Sequence, residues 1–344
     1  MRHVTDLSCF GWDGSDALSS GTVPARVVRV DRGRLTVLTE DGERRVVPGS
    51  ALFAPDSTGP AVGDWVAVRG EQAVEILPRR SAFVRTVAGR TSAAQVVAAN
   101  IDLVLVVDAL SGDARVRRVE RYLAVAWSSG ATPVVVLTKA DLCADVPSAV
   151  EAVREQALGV DVLPVSSVTG EGLAEVGALL GPGRTAAMVG PSGVGKSSLA
   201  NALAGRTVAG TREIREDGRG RHATTARELH LLPGGGLLVD TPGMRELALY
   251  DDADGVDSAY ADVVELAAGC RFRDCGHRGE PGCAVAAAID DGRLDPARFT
   301  AWRKLQAEVH RQFLRVDARA RAEEHARLRS RFRAQREQGN RPRV

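Results

Sequence analysis

The chain has 344 residues, of which 44% are hydrophobic, and its formal net charge is +1. That length predicts two or three domains with ample core, and a charge near zero names no partner by itself. No apolar run reaches membrane-spanning length, and the N-terminus lacks a basic head followed by a greasy stretch, so a soluble cytoplasmic protein without a membrane partner is expected. Five cysteines do not form a disulfide framework in such a chain. Cys9 and Cys143 stand alone as small apolar residues, and the other three crowd near residue 275.

The distribution of basic residues says more than their total. From Arg311 to the C-terminus there are 11 arginines against four acids. Only three lysines occur beside 42 arginines, so a plain positive charge is written as Arg in this sequence. Two of the three lysines, Lys139 and Lys196, fall inside nucleotide-type motifs. A compact, flexible ammonium is needed there, and a planar guanidinium cannot replace it.

In chain order, residues 1–20 read as a polar, disordered tail. Residues 21–80 read as a small barrel of about five strands, most simply an OB-fold: "ARVVRVD", "LTVLTE", an Asp-Gly turn in "EDGE", "RRVVPG" and "GDWVAVRG". Residues 81–254 alternate buried strands with helices. "IDLVLVVDA", "PVVVL", "VDVLPVS", "TAAMVG" and "GLLVD" are apolar runs of parallel-sheet type. Val116, Val119, Leu123 and Ala126 fall at helical spacing. An α/β sheet with right-handed crossovers follows, with ligand loops at its strand ends. Residues 255–344 hold a Cys/His cluster and then Arg-rich helical sequence.

"GPSGVGKSS", spanning Gly190, Pro191, Ser192, Gly193, Val194, Gly195, Lys196, Ser197 and Ser198, is a phosphate loop between a strand and a helix. Its amides and the helix N-terminus cradle phosphates. Lys196 reaches the β- and γ-phosphates, and Ser197 puts its hydroxyl on Mg²⁺. "TKAD", with Thr138, Lys139 and Asp141, selects the base. Guanine offers two adjacent donors that one carboxylate accepts, whereas adenine would set an acceptor against a buried charge. Lys139 lays its stem along the base, and Ser166 and Ser167 of "SSVTG" open the loop that caps guanine O6. Asp240 of "DTPG" meets Mg²⁺ through water, and the Gly243 amide senses the γ-phosphate. The segment "REDGRGRHATTARE" between them reads as a mobile switch, with Thr224 or Thr225 completing the Mg²⁺ shell and Thr225 preferred. The order base, base, phosphate, switch, switch is a circular permutation of the familiar one.

"CRFRDCGHRGEPGC" places Cys270, Cys275, His277 and Cys283 within 14 residues. Three sulfurs and one imidazole suit tetrahedral Zn²⁺, structural because no position is left open. Arg271, Arg273 and Arg278 on the same loop would face a phosphate backbone.

The permuted order, "GRHATT" beside "DTPG", and the C-x4-C-x-H-x5-C spacing together resemble one family, the ribosome small-subunit-dependent GTPases of the RsgA type. The resemblance covers roughly residues 22–310; "HATT" departs from the more usual "HTTT". It implies a GTP hydrolase of late small (30S) subunit maturation, stimulated by the subunit, bound to 16S rRNA and monomeric. Met244 follows "DTPG" where Ras-like GTPases place a water-orienting Gln, so intrinsic hydrolysis should be slow. His222 is the candidate catalytic residue, and the resemblance points the same way. For RNA contact the barrel offers Arg26, Arg29, Arg32, Arg34, Arg44 and Arg45 but few aromatics, Phe53 and Trp65, so phosphate and shape contacts should outweigh base stacking. The rival readings are a nucleotide-gated RNA-binding module in which occupancy is the signal, a permuted GTPase of another process, and, disfavoured by Asp141, an ATP-using kinase.

Overall fold

The structure, a computed structural model, describes residues 5–54, 57–86, 94–110, 116–209, 227–240, 253–316 and residue 322. They form two compact units that divide between Ala261 and Asp262, with Ala253 grouped in the second.

The first unit opens with a five-stranded barrel: β1 (Val23–Asp31), β2 (Arg34–Thr39), β3 (Gly42–Pro48), β4 (Trp65–Arg69) and β5 (Gln72–Ile76). Three antiparallel hairpin-type pairings and one parallel pair, β3 with β5, are closed by β1 on β4. Alternation sets what lies inside: Ala25, Val27, Leu35, Val37, Val46, Val66 and Val68 all point into one core.

Residues expected to be a disordered tail are ordered from Thr5 on. A 3-10 turn at Leu7–Phe10, capped by the Asp6 carboxylate, buries Leu7, and Trp12 stacks on Trp65 with ring centroids 4.7 Å apart. This segment covers the outer face of β1 and β4, so apolar burial, not local propensity, orders it.

That cover changes the role of Arg26. It was expected to meet RNA, but it is fully buried opposite Trp65 in the β1–β4 register, with its guanidinium 5.2 Å from that ring. Its nitrogens donate to the Phe10 carbonyl (3.2 Å), the Asn100 carbonyl (3.1 Å) and the Thr185 hydroxyl (3.2 Å). Burial pushes its pKa down to about 10, so it still carries charge at neutral pH. Arg32, Arg34 and Arg45 are exposed, as expected.

A short hairpin, β6 (Ala82–Thr86) with β7 (Ala94–Ala99), follows the barrel. Then come β8 (Leu103–Ala109), α1 (Val116–Ser128), β9 (Thr132–Thr138), α2 (Val146–Arg154), β10 (Val162–Pro164), α3 (Leu173–Leu179), β11 (Thr185–Val189), α4 (Lys196–Ala204), β12 (Glu228–Leu231), β13 (Leu237–Asp240) and α5 (Ala253–Ala259). The strands run in the order β10-β9-β8-β11-β13-β12. All pairings are parallel except β12 with β13, and Glu228 of β12 pairs with Arg29 of β1, which joins this sheet to the barrel. Val119, Leu123 and Ala126 of α1 are buried as their spacing predicted.

The second unit comprises most of α6 (Ala261–Ala268), then α7 (Ala284–Asp290) and α8 (Pro296–Val316). Apart from residue 322, the Arg-rich stretch after Val316 lies outside the described residues.

Candidate nucleotide site and metal centre

The central strands end on one side of the sheet, and the motifs sit at those ends: Thr138 closes β9, Ser166 follows β10, Gly190 follows β11 and Asp240 closes β13. Gly190 has φ +143°, and a Cβ there would lie 2.1 Å from the Val107 carbonyl oxygen, so only glycine lets the loop leave β11 beside β8.

The base-side and phosphate-side loops touch. The buried Thr138 hydroxyl lies within hydrogen-bond reach of the Val194 carbonyl, closely, and of the Asp108 carbonyl at 3.1 Å. Thr138 therefore ties the two loops together. The Lys139 ammonium donates to the Gly193 carbonyl at 2.9 Å, from a backbone in the left-handed region at φ +60°. Few side chains other than glycine adopt that backbone, which fits a residue held for function.

Asp141 is exposed, and Ser166 orients it. The buried Ser166 hydroxyl donates to Asp141 Oδ1 at 2.6 Å and accepts from the Val168 and Thr169 amides. Oδ2 of Asp141 has no partner among the described residues. Ser167 is half-buried beside it. Within the phosphate loop Val194 is buried, Pro191, Gly195, Lys196 and Ser197 are half-buried, and Ser192, Gly193 and Ser198 face solvent. The Lys196 ammonium curls over the loop, donating to the Gly190 carbonyl at 2.7 Å and to that of Pro191.

Sequence reasoning missed an ion pair behind this site. Asp108, 2% exposed at the end of β8, accepts three hydrogen bonds from Arg118 of α1 at 2.7–3.0 Å, while its backbone carbonyl receives Thr138. An acid closing an otherwise apolar run, "LVLVVDA", was the available signal. His222, Thr224, Thr225, Gly243, Met244 and the side chain of Asp240 lie outside the described residues.

In the second unit Cys270, Cys275, His277 and Cys283 converge, their ligand atoms all within 4.8 Å of one another. Cys270 Sγ lies 4.0 Å from Cys283 Sγ, and His277 Nδ1 lies 3.6 and 3.4 Å from those sulfurs. Edges of ~3.5–3.8 Å are what tetrahedral Zn²⁺ with ~2.3 Å sulfur and ~2.1 Å nitrogen bonds requires. His277 reaches this position from a left-handed backbone, φ +52°, with its ring edge-on to Phe299 of α8 at 5.9 Å. Without a cation the thiols oppose each other. The His277 amide favours the Cys275 thiolate, but burial and the sulfurs of Cys283 and Cys270 push its pKa up to about 11. Burial also works against the Cys270 thiolate, yet the amides of Val285 and Ala284, opening α7, hold its pKa below the ordinary value. A divalent cation removes that conflict. Arg271, Arg273 and Arg278 are exposed on the loop.

Comparison with known proteins fits this geometry. A family model for the RsgA GTPase matches residues 76–250. The chain is 48% identical over 333 residues to the small ribosomal subunit biogenesis GTPase RsgA of Streptomyces coelicolor, covering 92% of this chain and 90% of that one. The chain belongs to the RsgA GTPase family. Its RsgA relative in Opitutus terrae is 43% identical over 336 residues, covering 90% of this chain and 92% of the relative. In fold it is similar to YjeQ from Thermotoga maritima, with TM-score 0.63, 24% identity and coverage of 85% of this chain and 99% of that one. It is equally similar, at TM-score 0.63 and 25% identity, to YloQ, described as a circularly permuted GTPase, covering 85% of this chain and 96% of that one. The RsgA fold expected from the sequence, a barrel, a permuted GTPase sheet and a Cys/His module, is the fold found.

Proposed function

We propose that the chain is a GTP hydrolase whose nucleotide cycle serves late maturation of the small ribosomal subunit, on which it docks as a cytoplasmic monomer through 16S rRNA. The observation that carries the nucleotide part is the contact of Thr138 and Lys139 with the Val194 and Gly193 carbonyls, which brings together two loops some fifty residues apart. There the Asp141 carboxylate, oriented by the Ser166 hydroxyl on Oδ1, accepts the two donors of the guanine edge. Lys139 lies along the base, and Gly190, Pro191, Ser192, Gly193, Val194, Gly195, Lys196, Ser197 and Ser198 enclose the phosphates. Ser197, Thr225 and Asp240 hold Mg²⁺, which neutralises phosphate charge, and the Gly243 amide meets the γ-phosphate. His222 aligns the attacking water in place of the Gln that Met244 displaces. Cys270, Cys275, His277 and Cys283 hold one structural Zn²⁺. Among the described residues no helix is long and apolar enough to cross a membrane.

The relatives in Streptomyces coelicolor and Opitutus terrae, small ribosomal subunit biogenesis GTPases by name, support the ribosomal part. The test is hydrolysis of GTP and of ATP by the full chain, alone and with purified small or large subunits. GTP turnover should rise at least about ten-fold with small subunits and not with large ones, and ATP should stay uncleaved. Equal stimulation by both subunits would remove the ribosomal assignment. Met244 also supports a reading in which occupancy is the signal. Single-turnover cleavage separates the two, because an occupancy switch shows no burst with small subunits. His222→Ala should abolish the stimulated rate and leave GDP affinity unchanged.

A further inference from the structure

The barrel carries a cleft that the nucleotide cycle does not use. It measures about 340 Å³ and is lined by Val30, Leu35, Pro48, Phe53 and Pro60, with Asp31 at its rim. That falls in the range of about 300–1,000 Å³ typical of pockets for small ligands. Phe53 closes a 3-10 turn, Ser50–Phe53, and is 59% exposed, whereas the barrel's other large aromatic, Trp65, is 4% exposed.

Two contacts shape the cleft wall among the described residues. Gly59, at φ +72°, lies so close that a Cβ would sit 3.4 Å from the Phe53 ring. Arg79 clamps this loop, donating to the Gly59 carbonyl and the Thr58 hydroxyl at 2.7 and 2.6 Å while paired with the fully buried Asp64.

Charge distinguishes the occupant. The turn from β1 to β2 at the cleft exposes Arg32 and Arg34, neither in an ion pair among the described residues, and Arg29 neutralises Asp31 at 3.1 Å. Across the barrel the β2–β3 hairpin carries Glu40, Asp41 and Glu43. The cleft lies beside this cationic turn, whose Asp31 and Gly33 line it, and an apolar ring near two guanidiniums without an ion pair among the described residues suits a flat ligand tethered to phosphates. We propose that this cleft receives one unpaired RNA nucleobase, stacked on Phe53, with flanking phosphates on Arg32 and Arg34. This rests on the reading that the chain docks on RNA and adds a base-dependent contact where the sequence predicted phosphate contact to dominate.

The test uses the full GDP-loaded chain and two probes of equal length, a single-stranded oligoribonucleotide and its abasic ribose-phosphate counterpart, followed by fluorescence anisotropy. Phe53→Leu should weaken the base-bearing probe roughly ten-fold and leave the abasic one unchanged, while Phe53→Trp keeps wild-type affinity. Replacing Arg32 and Arg34 by Ala should weaken both probes and flatten their salt dependence. Basal GTP turnover should not change in any variant. If Phe53→Leu binds both probes as the wild type does, the proposal is overturned. If it keeps RNA affinity but loses small-subunit binding, the cleft takes an apolar protein side chain instead, which also overturns it. Base-dependent binding in a chain that small subunits do not stimulate would leave this site standing and remove the proposed ribosomal role.

Discussion

Thr138 has one hydroxyl proton and two carbonyls, of Val194 and Asp108, within reach of it. The usual residue at this motif position, asparagine, carries two N–H groups, so threonine is a weaker fastener between base loop and phosphate loop. Thr138→Val keeps the shape and removes the donor. It should weaken GDP binding about ten-fold by calorimetry, with Thr138→Ser close to wild type, because a buried acceptor left unpaired costs ~1–3 kcal/mol. Wild-type affinity in the valine variant would show that the hydroxyl does not hold the pocket. At this scale the site was readable because its residues are contiguous in short motifs. Arg26 was not: a strand arginine reads as exposed until something covers its face, and that cover, Leu7 and Trp12, lay in a segment without regular pattern.

At the scale of elements, Arg26 and Asp102 together fix where β11, the strand that delivers the phosphate loop, begins. The Asp102 amide donates to the Thr185 carbonyl at 2.8 Å, and its carboxylate accepts the Thr185 amide at 2.7 Å. Arg26 reaches the same threonine from the barrel. Arg26→Ala strips three acceptors of their donor, two of them buried, and should lower stability by about 3 kcal/mol in urea unfolding. A change below ~0.5 kcal/mol would mean that water replaces the guanidinium at no cost. Barrel strands β1 to β4 and β8, β9, β10, β11 and β13 were legible from alternation or from continuous apolar runs. The β6–β7 hairpin and β12 were not. Alanines dominate β7, and "ELHL" has four residues, too few to establish a period.

In the whole molecule, two units rest on different physics. The first buries large apolar clusters, while the second sets two short helices, α6 and α7, and the long α8 beside a Cys/His cluster that a cation would hold together. Chelation of metal should raise hydrogen exchange and proteolytic cleavage between residues 270 and 290 and leave GDP affinity intact, since site binding energies of ~10–16 kcal/mol are folding energy in such modules. Unchanged protection after chelation would show that the thiols need no ion. Circular permutation changes the chain order but not the sheet order, so the base loop, although it precedes the phosphate loop, still ends beside it. Calorimetry of the full chain with GDP and ADP tests most directly whether they form one guanine site. GDP should bind at least about a hundred-fold more tightly than ADP, with Asp141→Asn erasing the difference. Equal affinity for the two nucleotides in the wild-type chain would contradict the account.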